Sequence, residues 1–475
     1  MPADSIDLRS PAQLLPAELL AEIFLSCVRN TPSESWLRVD RPPWVFGKVC
    51  YHWRAVCLST PSLWGNLPRL YMNSAQYRDP RVLALLRTSL ALSRSVQLSL
   101  DLTIFTEDDT CIAKTIPLFH HILPEIQRCR NLVLATNGHS LPLLKKISEK
   151  LESLQSLKLR FFGRTTDFGI TQSINFFDKA PLLTNASIIV DTSHDNPADN
   201  PQHLPFVIRC IPLPWYQLTI FSTKYISDMC LMDVIRNAPL LKECSFTSTW
   251  HSPQAATVVN PITHRHLENL SLLFKSHNDA VNELPIYLIE KLSLPSLKHL
   301  ECAYRDDHTA HLISLIERSR CALLSLTTYA EDVDGEIISF LGCIPHIHKL
   351  ELRSIGREAL AAMTISPNAS TSALVRNLKS LTIDLPRCTS RDIQEFIRSR
   401  TVDVELGSVQ YLEVVRLRFN SEQRYWAMYH QLEGWSTHTP GADEAYNALL
   451  SRKIVLENLV RELRTGGKSQ LLKVR

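Results

Sequence analysis

Hydrophobic positions change their spacing along this chain, and the change divides it into a short helical opening and a long repetitive remainder. Near the N-terminus Leu19, Leu20, Ile23, Phe24 and Cys27 recur at three- and four-residue steps, the period of one helix face. Pro16 suits the first helical turn because it has no N–H to satisfy, and Glu18 lies at the positive end of the helix dipole. Val45, Val49, Trp53 and Val56 repeat at steps of four, four and three and predict a second helix. Ser59 or Thr60 as N-cap, with Pro61 inside it, opens a third. Three helices of this size bury little among themselves, so Trp53 and Trp64 are expected to stay partly uncovered and to need a partner surface.

From about residue 80 the pattern shortens to LxxLxL. Clear copies begin at Leu154, Leu267, Leu297, Ile347 and Leu378, and weaker ones span Val96–Leu100, Leu132–Leu134, Leu182–Ile188, Leu218–Ile220, Leu240–Phe246, Leu323–Leu326 and Leu412–Leu417. Eleven intervals separate Leu98 from Val415, about 29 residues each, at the upper end of the leucine-rich-repeat range. Helical spacing fills the gaps at 142–151, 226–237, 284–292, 308–318, 336–341 and 391–398. One strand and one helix cannot hide their own apolar face, but stacked units can. The expected fold is an α/β solenoid, leucine-rich-repeat-like, behind a small three-helix domain. A doubly wound sheet also alternates strand and helix, but no glycine-rich turn follows any strand here.

In such a repeat the second and third apolar residues of LxxLxL point inward, and their alternating neighbours face the concave surface. That rule assigns Lys158, Arg160, Phe221, Glu301, Glu351, Arg353, Asp384, Arg416 and Arg418 to a substrate-facing side. Basic residues fall at both ends and acidic ones between, which suits a partner with complementary zones.

The N-terminal phrases are more specific than their periodicity. LPAELLAEIF from Leu15, VCYHWR from Val49 and TPSLW from Thr60 resemble, in that order, an F-box, and more closely the F-box-like form common in fungal proteins. The resemblance covers about the first seventy residues, with a longer link than usual over 29–43. It implies a substrate-receptor subunit of an SCF-type cullin-RING ubiquitin ligase that docks on a Skp-type adaptor and, through it, on a cullin. Leu15, Pro16, Glu18, Ile23, Val49, Cys50, Trp53 and Trp64 match motif positions that contact the adaptor or hold its docking helices together. With the resemblance for its N-terminal part and residue pattern for the rest, the expected division is a disordered 1–10, an F-box over 11–70, a solenoid over 80–420, a cap with a final helix over 421–465, and a basic tail over 466–475.

Composition narrows the alternatives. The 475 residues carry 51 Lys plus Arg against 48 Asp plus Glu, a net +3, which offers no electrostatic case for nucleic acid or a membrane surface. No basic n-region precedes an apolar core at the N-terminus, and no apolar run reaches eighteen residues. Twelve scattered cysteines without a CxxC pair read as buried thiols of a reducing compartment, cytosol or nucleus.

Neither GxSxG, GxGxxG nor HExxH occurs, so no enzyme activity or cofactor is expected. Gly466-Gly467-Lys468-Ser469 ends like a phosphate loop, but Glu462 stands where its first glycine belongs and too few residues follow for the helix. The pairs His264/His266 and His346/His348 fall short of the three or four ligands zinc takes, so no metal is expected. The reading is therefore an adaptor that works by proximity to an unknown protein substrate. A ligase-independent interaction scaffold is the alternative, and a nucleic-acid-binding solenoid a weaker one.

Overall fold

The structure, a computed structural model, describes residues 15–29, 39–71, 79–104, 119–137, 147, 150–162, 177, 179–191, 213–224, 229–248, 260–274, 286–302, 308–328, 335–365, 374–386, 390–401, 412, 414–417 and 473–474. The expected disordered start, the cap over 421–465, most of the basic tail and most of the helix over 142–151 lie outside them. Two compact units divide the chain, Met1–Tyr225 and Ile226–Arg475.

The first unit opens with α1 (Ala17–Arg29), a 3-10 turn at Trp44–Lys48, α2 (Tyr51–Ser59) and a second 3-10 turn at Pro61–Trp64. The chain then enters β1 (Asn66–Tyr71), α3 (Pro80–Leu92) and β2 (Leu98–Ile104). Four further strands follow, β3 (Cys129–Thr136), β4 (Ser156–Phe162), β5 (Asn185–Asp191) and β6 (Ile220–Lys224). Each pairs in parallel with the next in chain order. β1 lies within the span the F-box resemblance covers, so the helical opening runs directly into the sheet.

The second unit contains α4 (Met229–Asn237), β7 (Glu243–Ser248), β8 (Ile262–Thr263), β9 (Asn269–Phe274), α5 (Ile286–Ile289), β10 (Leu292–Ser293) and β11 (His299–Cys302). It continues through α6 (Thr309–Ser319), β12 (Ser325–Thr328), α7 (Gly335–Gly342), β13 (Lys349–Ile355), α8 (Arg357–Met363), β14 (Ser380–Pro386), α9 (Ser390–Thr401), β15 (Val414–Leu417) and β16 (Lys473–Val474). β8 and β10 pair apart from the rest. The others run parallel in the order β7, β9, β11, β12, β13, β14, β15, β16. In both units strand order follows chain order, without the reversal that defines a doubly wound sheet.

All twelve LxxLxL copies fall on strands, and the reason is visible in the backbone. Before a strand the chain makes a tight turn between buried apolar residues, with the N–H of Leu183 donating to Ala180, Leu241 to Ala238, Leu297 to Leu294 and Ile347 to Ile344. Pro181, Pro239, Pro295 and Pro345 occupy the second turn position, where a φ near −65° is already correct. Two successive amides then share one carbonyl of the preceding strand's entry. Thr184 and Asn185 donate to Gln155, Lys298 and His299 to Glu268, and Lys379 and Ser380 to His348. That shared acceptor sets the register, so Leu270, Leu300, Leu326, Leu350, Leu381 and Val415 stand side by side in the core. In these four copies the phrase is thus longer than LxxLxL: an apolar residue, a proline, any residue, then LxxLxL.

Candidate functional site

The helical opening does not pack as its periodicity predicts. Leu20, Phe24 and Val28 are the buried stripe of α1, whereas Leu19 and Ile23, 53% and 45% exposed, face outward with Cys27. Both stripes are apolar and one residue apart, so spacing alone cannot choose between them. Aromatic partners choose: the Phe24 ring stacks on Phe46 with centroids 4.2 Å apart and meets Trp53 at 5.0 Å.

The second predicted helix is broken. Val45 lies in the 3-10 turn, and Cys50 is extended and caps α2. Its Sγ accepts the Trp53 amide at 3.4 Å. Val49 therefore leaves the face it shares with Val56 in a continuous helix and is 56% exposed. Tyr51 and Leu58, which share one face of α2, are exposed too. The sequence reading passed over both, although their spacing is helical.

Among the residues matched to the F-box, Pro16, Glu18, Ile23 and Val49 are exposed, and Leu15, Cys50 and Trp53 are half-buried. His52 Nε2 lies 3.1 Å from the carbonyl of Leu15, tying α2 to the entry of α1. Trp64 corrects the expectation of an uncovered side chain. It is fully buried, its indole N–H donates to the Cys57 carbonyl at 3.0 Å, and its ring meets Trp44 edge-on. A tryptophan so enclosed holds the cluster together and offers nothing to a partner.

The sheet face opposite the leucines carries the second candidate surface. In the second unit Ser245, Ser271, Glu301, Thr327, Glu351, Thr382 and Arg416 form one row in register. Of the residues expected to face a substrate, Glu301, Glu351 and Arg416 are half-buried on this row. Arg353 and Asp384 lie on β13 and β14 with side chains outside those described, and Arg418 is outside altogether.

Phe221 is a correction. It is fully buried, with Trp215 against it at 5.2 Å. Leu218 closes the turn before β6 as Leu183 does before β5, so the copy reads Leu218-x-x-Phe221-x-Thr223, with both later positions inward. Taking Leu218 and Ile220 as the alternating pair shifted the strand by one residue, which reverses its faces. The outward residues are Ser222 and Lys224, and alignment on the turn identifies them.

In the first unit Lys158, Ser187 and Ser222 occupy one row of that face, and Arg160, Ile189 and Lys224 the next. Ser222 and Ser187 hydrogen-bond through their hydroxyls at 2.8 Å. Burial, then the positive charges of Arg160 and Lys224, hold the Lys158 ammonium below its ordinary value. Toward β1, Arg69 binds Asp101 at 2.9 Å.

His264 is not free to join His266 on a metal. It is buried, with Nε2 at 2.9 Å from the Ala238 carbonyl and Nδ1 accepting the Leu267 amide at 3.1 Å. No helix among the described residues is long and apolar enough to cross a membrane. Compared with known proteins, the chain matches no family model and no curated protein.

Proposed function

We propose that this chain is the substrate-recognition subunit of an SCF-type cullin-RING ubiquitin ligase. The N-terminal helices act as the F-box that docks on a Skp-type adaptor, and the repeats act as a leucine-rich-repeat-like solenoid that holds the protein substrate. The observation that carries the first half is the exposed pair Leu19 and Ile23 on a helix whose opposite stripe is already filled by Phe46 and Trp53. A second apolar stripe left in water is a cost unless a partner covers it. Support for the second half is the monotonic parallel strand order and the turn that recurs before the strands.

Catalysis on this reading belongs to the partners. The receptor raises the effective concentration of substrate lysines near a charged conjugating enzyme, which converts a bimolecular encounter into an intramolecular one. Co-expression with a Skp-type adaptor and cullin tests it. The intact chain is expected to capture both, and Leu19→Asp with Ile23→Asp to release both while the chain stays folded. Capture of neither by the intact chain overturns the proposal.

A further inference from the structure

The open face of the first unit's sheet concentrates positive charge on one small area. Lys158 and Arg160 come from β4, Lys224 from β6, and Ser187 and Ser222 stand between them on β5 and β6. Adjacent strands lie about 4.8 Å apart and alternate residues about 6.6 Å apart. The roots of the three cations therefore mark three corners of an area of about 10 by 7 Å, with Ser222 at the fourth corner, Ser187 between Lys158 and Ser222, and Ile189 between Arg160 and Lys224. Among the described side chains on this face, the nearest carboxylate is Asp101, two strands from β4 and already engaged by Arg69. The three like charges repel one another, and Asp101, whose charge acts on Lys158 in the opposite direction, offsets them only in part.

Two details describe how the charges are held. Arg160 Nε is buried and has no hydrogen-bond partner, a donor desolvated without return. The lowered proton affinity of Lys158 has Arg160 and Lys224 among its causes after burial, so the three groups sense one another. A tetrahedral oxyanion would satisfy all of these groups. Its oxygens accept from guanidinium, ammonium and hydroxyl donors, and its charge removes the repulsion.

We infer that Lys158, Arg160 and Lys224, with the hydroxyls of Ser187 and Ser222, form a binding site for one phosphate monoester. Its size favours a single phosphate over a polyanion. Along the same two rows β3 contributes only Val133 and Ala135, and β2 contributes Asp101 and Thr103, so no basic track leads away toward β1. The phosphate can be borne by a side chain of a protein substrate or by a free small molecule. The first source rests on the substrate-receptor reading above, whereas the site itself does not.

The test uses the full chain and fluorescence anisotropy of a labelled peptide pool, one central phosphoserine with randomised flanks, against its unphosphorylated twin at physiological salt. The phosphorylated pool is expected to bind about tenfold more tightly, and Arg160→Gln and Lys224→Gln each to remove most of that advantage. Lys224 is exposed, so its variant reports binding without disturbing the fold. Arg160→Lys is expected to restore part of the loss, because charge survives and the fork does not.

Inorganic phosphate and glucose 6-phosphate compete in either case. A pool no tighter than inorganic phosphate, with competition still lost in both variants, assigns the site to a free molecule. Equal binding of the two pools without competition by phosphate overturns the inference, as does full binding by both variants. Tight binding of a single-stranded RNA homopolymer with steep salt dependence, lost in the same variants, also overturns it in favour of nucleic acid. Adaptor capture is measured in parallel. Its loss with phosphate binding intact overturns the ligase reading alone.

Discussion

Phe24 lies flat on Phe46, ring centroids 4.2 Å apart and planes 7° from parallel, while its chain neighbour Ile23 faces water. One residue of offset along a helix separates a side chain that holds the fold from one that is available to a partner. The two are separable by experiment. Phe24→Ala is expected to lower stability by about 3–5 kcal/mol, because the ring is fully enclosed. Ile23→Asp is expected to change stability by no more than about 0.5 kcal/mol and, on the proposed function, to abolish adaptor capture. Denaturant unfolding with pull-down on the same preparations checks both, and equal destabilisation by the two would refute the assignment of faces.

Arg400 is the largest charged side chain buried among the described residues. Its guanidinium donates to the carbonyls of Met363, Leu374 and Val375 at 2.8–3.1 Å and lies over the Phe396 ring. Burial pulls its pKa down to about 10, so it stays charged at neutral pH. The carbonyl of Met363 ends α8, where a cation is favoured by the helix dipole. Arg400→Met is expected to cost about 3 kcal/mol by stranding these acceptors, and Arg400→Lys to recover only part. A shift of the urea midpoint below a quarter of that would show that the acceptors find other donors.

Acidification should act through His264. With the Leu267 amide aimed at Nδ1, the proton sits on Nε2, which donates to the Ala238 carbonyl. Burial, the largest influence, lowers its pKa below the ordinary 6.5. The native state therefore prefers the neutral ring. Its contribution is fully present above pH 6.5 and is lost as pH falls through the lowered native value. Urea midpoints at pH 7.5 and 5.0 are expected to differ more for the native sequence than for His264→Gln. Identical pH dependence would exclude His264 as a source.

Thiol reactivity should divide the cysteines. Burial pushes Cys57 up to about 11 and Cys129, Cys244 and Cys302 up to about 12, so almost no thiolate exists at neutral pH. Cys27 is exposed on the outward side of α1. Iodoacetamide at pH 7.5 with peptide mass mapping is expected to label Cys27 in the native chain and the other four only after denaturation. Early labelling of Cys244 or Cys302 would contradict the packing of β7 or β11.

Strand positions were legible because each LxxLxL copy states its alternation within six residues. Face was less legible where a copy was weak. At β6 the third apolar place is taken by Thr223, which is buried although polar, and Lys224 was missed as a result. The aromatic anchors of the helical opening were visible as residue types but not as roles. Trp53 is half-buried and Trp64 enclosed, although both stand in a tryptophan-bearing phrase.

By itself the sequence determined what depends on near neighbours: the alternation of strands with helices, the repeat spacing and the three phrases of the N-terminal segment. Only the tertiary structure decided which of two adjacent apolar stripes on α1 is buried, that Trp64 is core, that Ser222 and Lys224 share a face with Lys158, and that Arg400 lies buried among carbonyls. Each of those outcomes depends on a partner many residues distant, such as Phe46 for Phe24 or Met363 for Arg400. A local pattern specifies a periodicity. The face that is buried is chosen by whatever the rest of the chain packs against it.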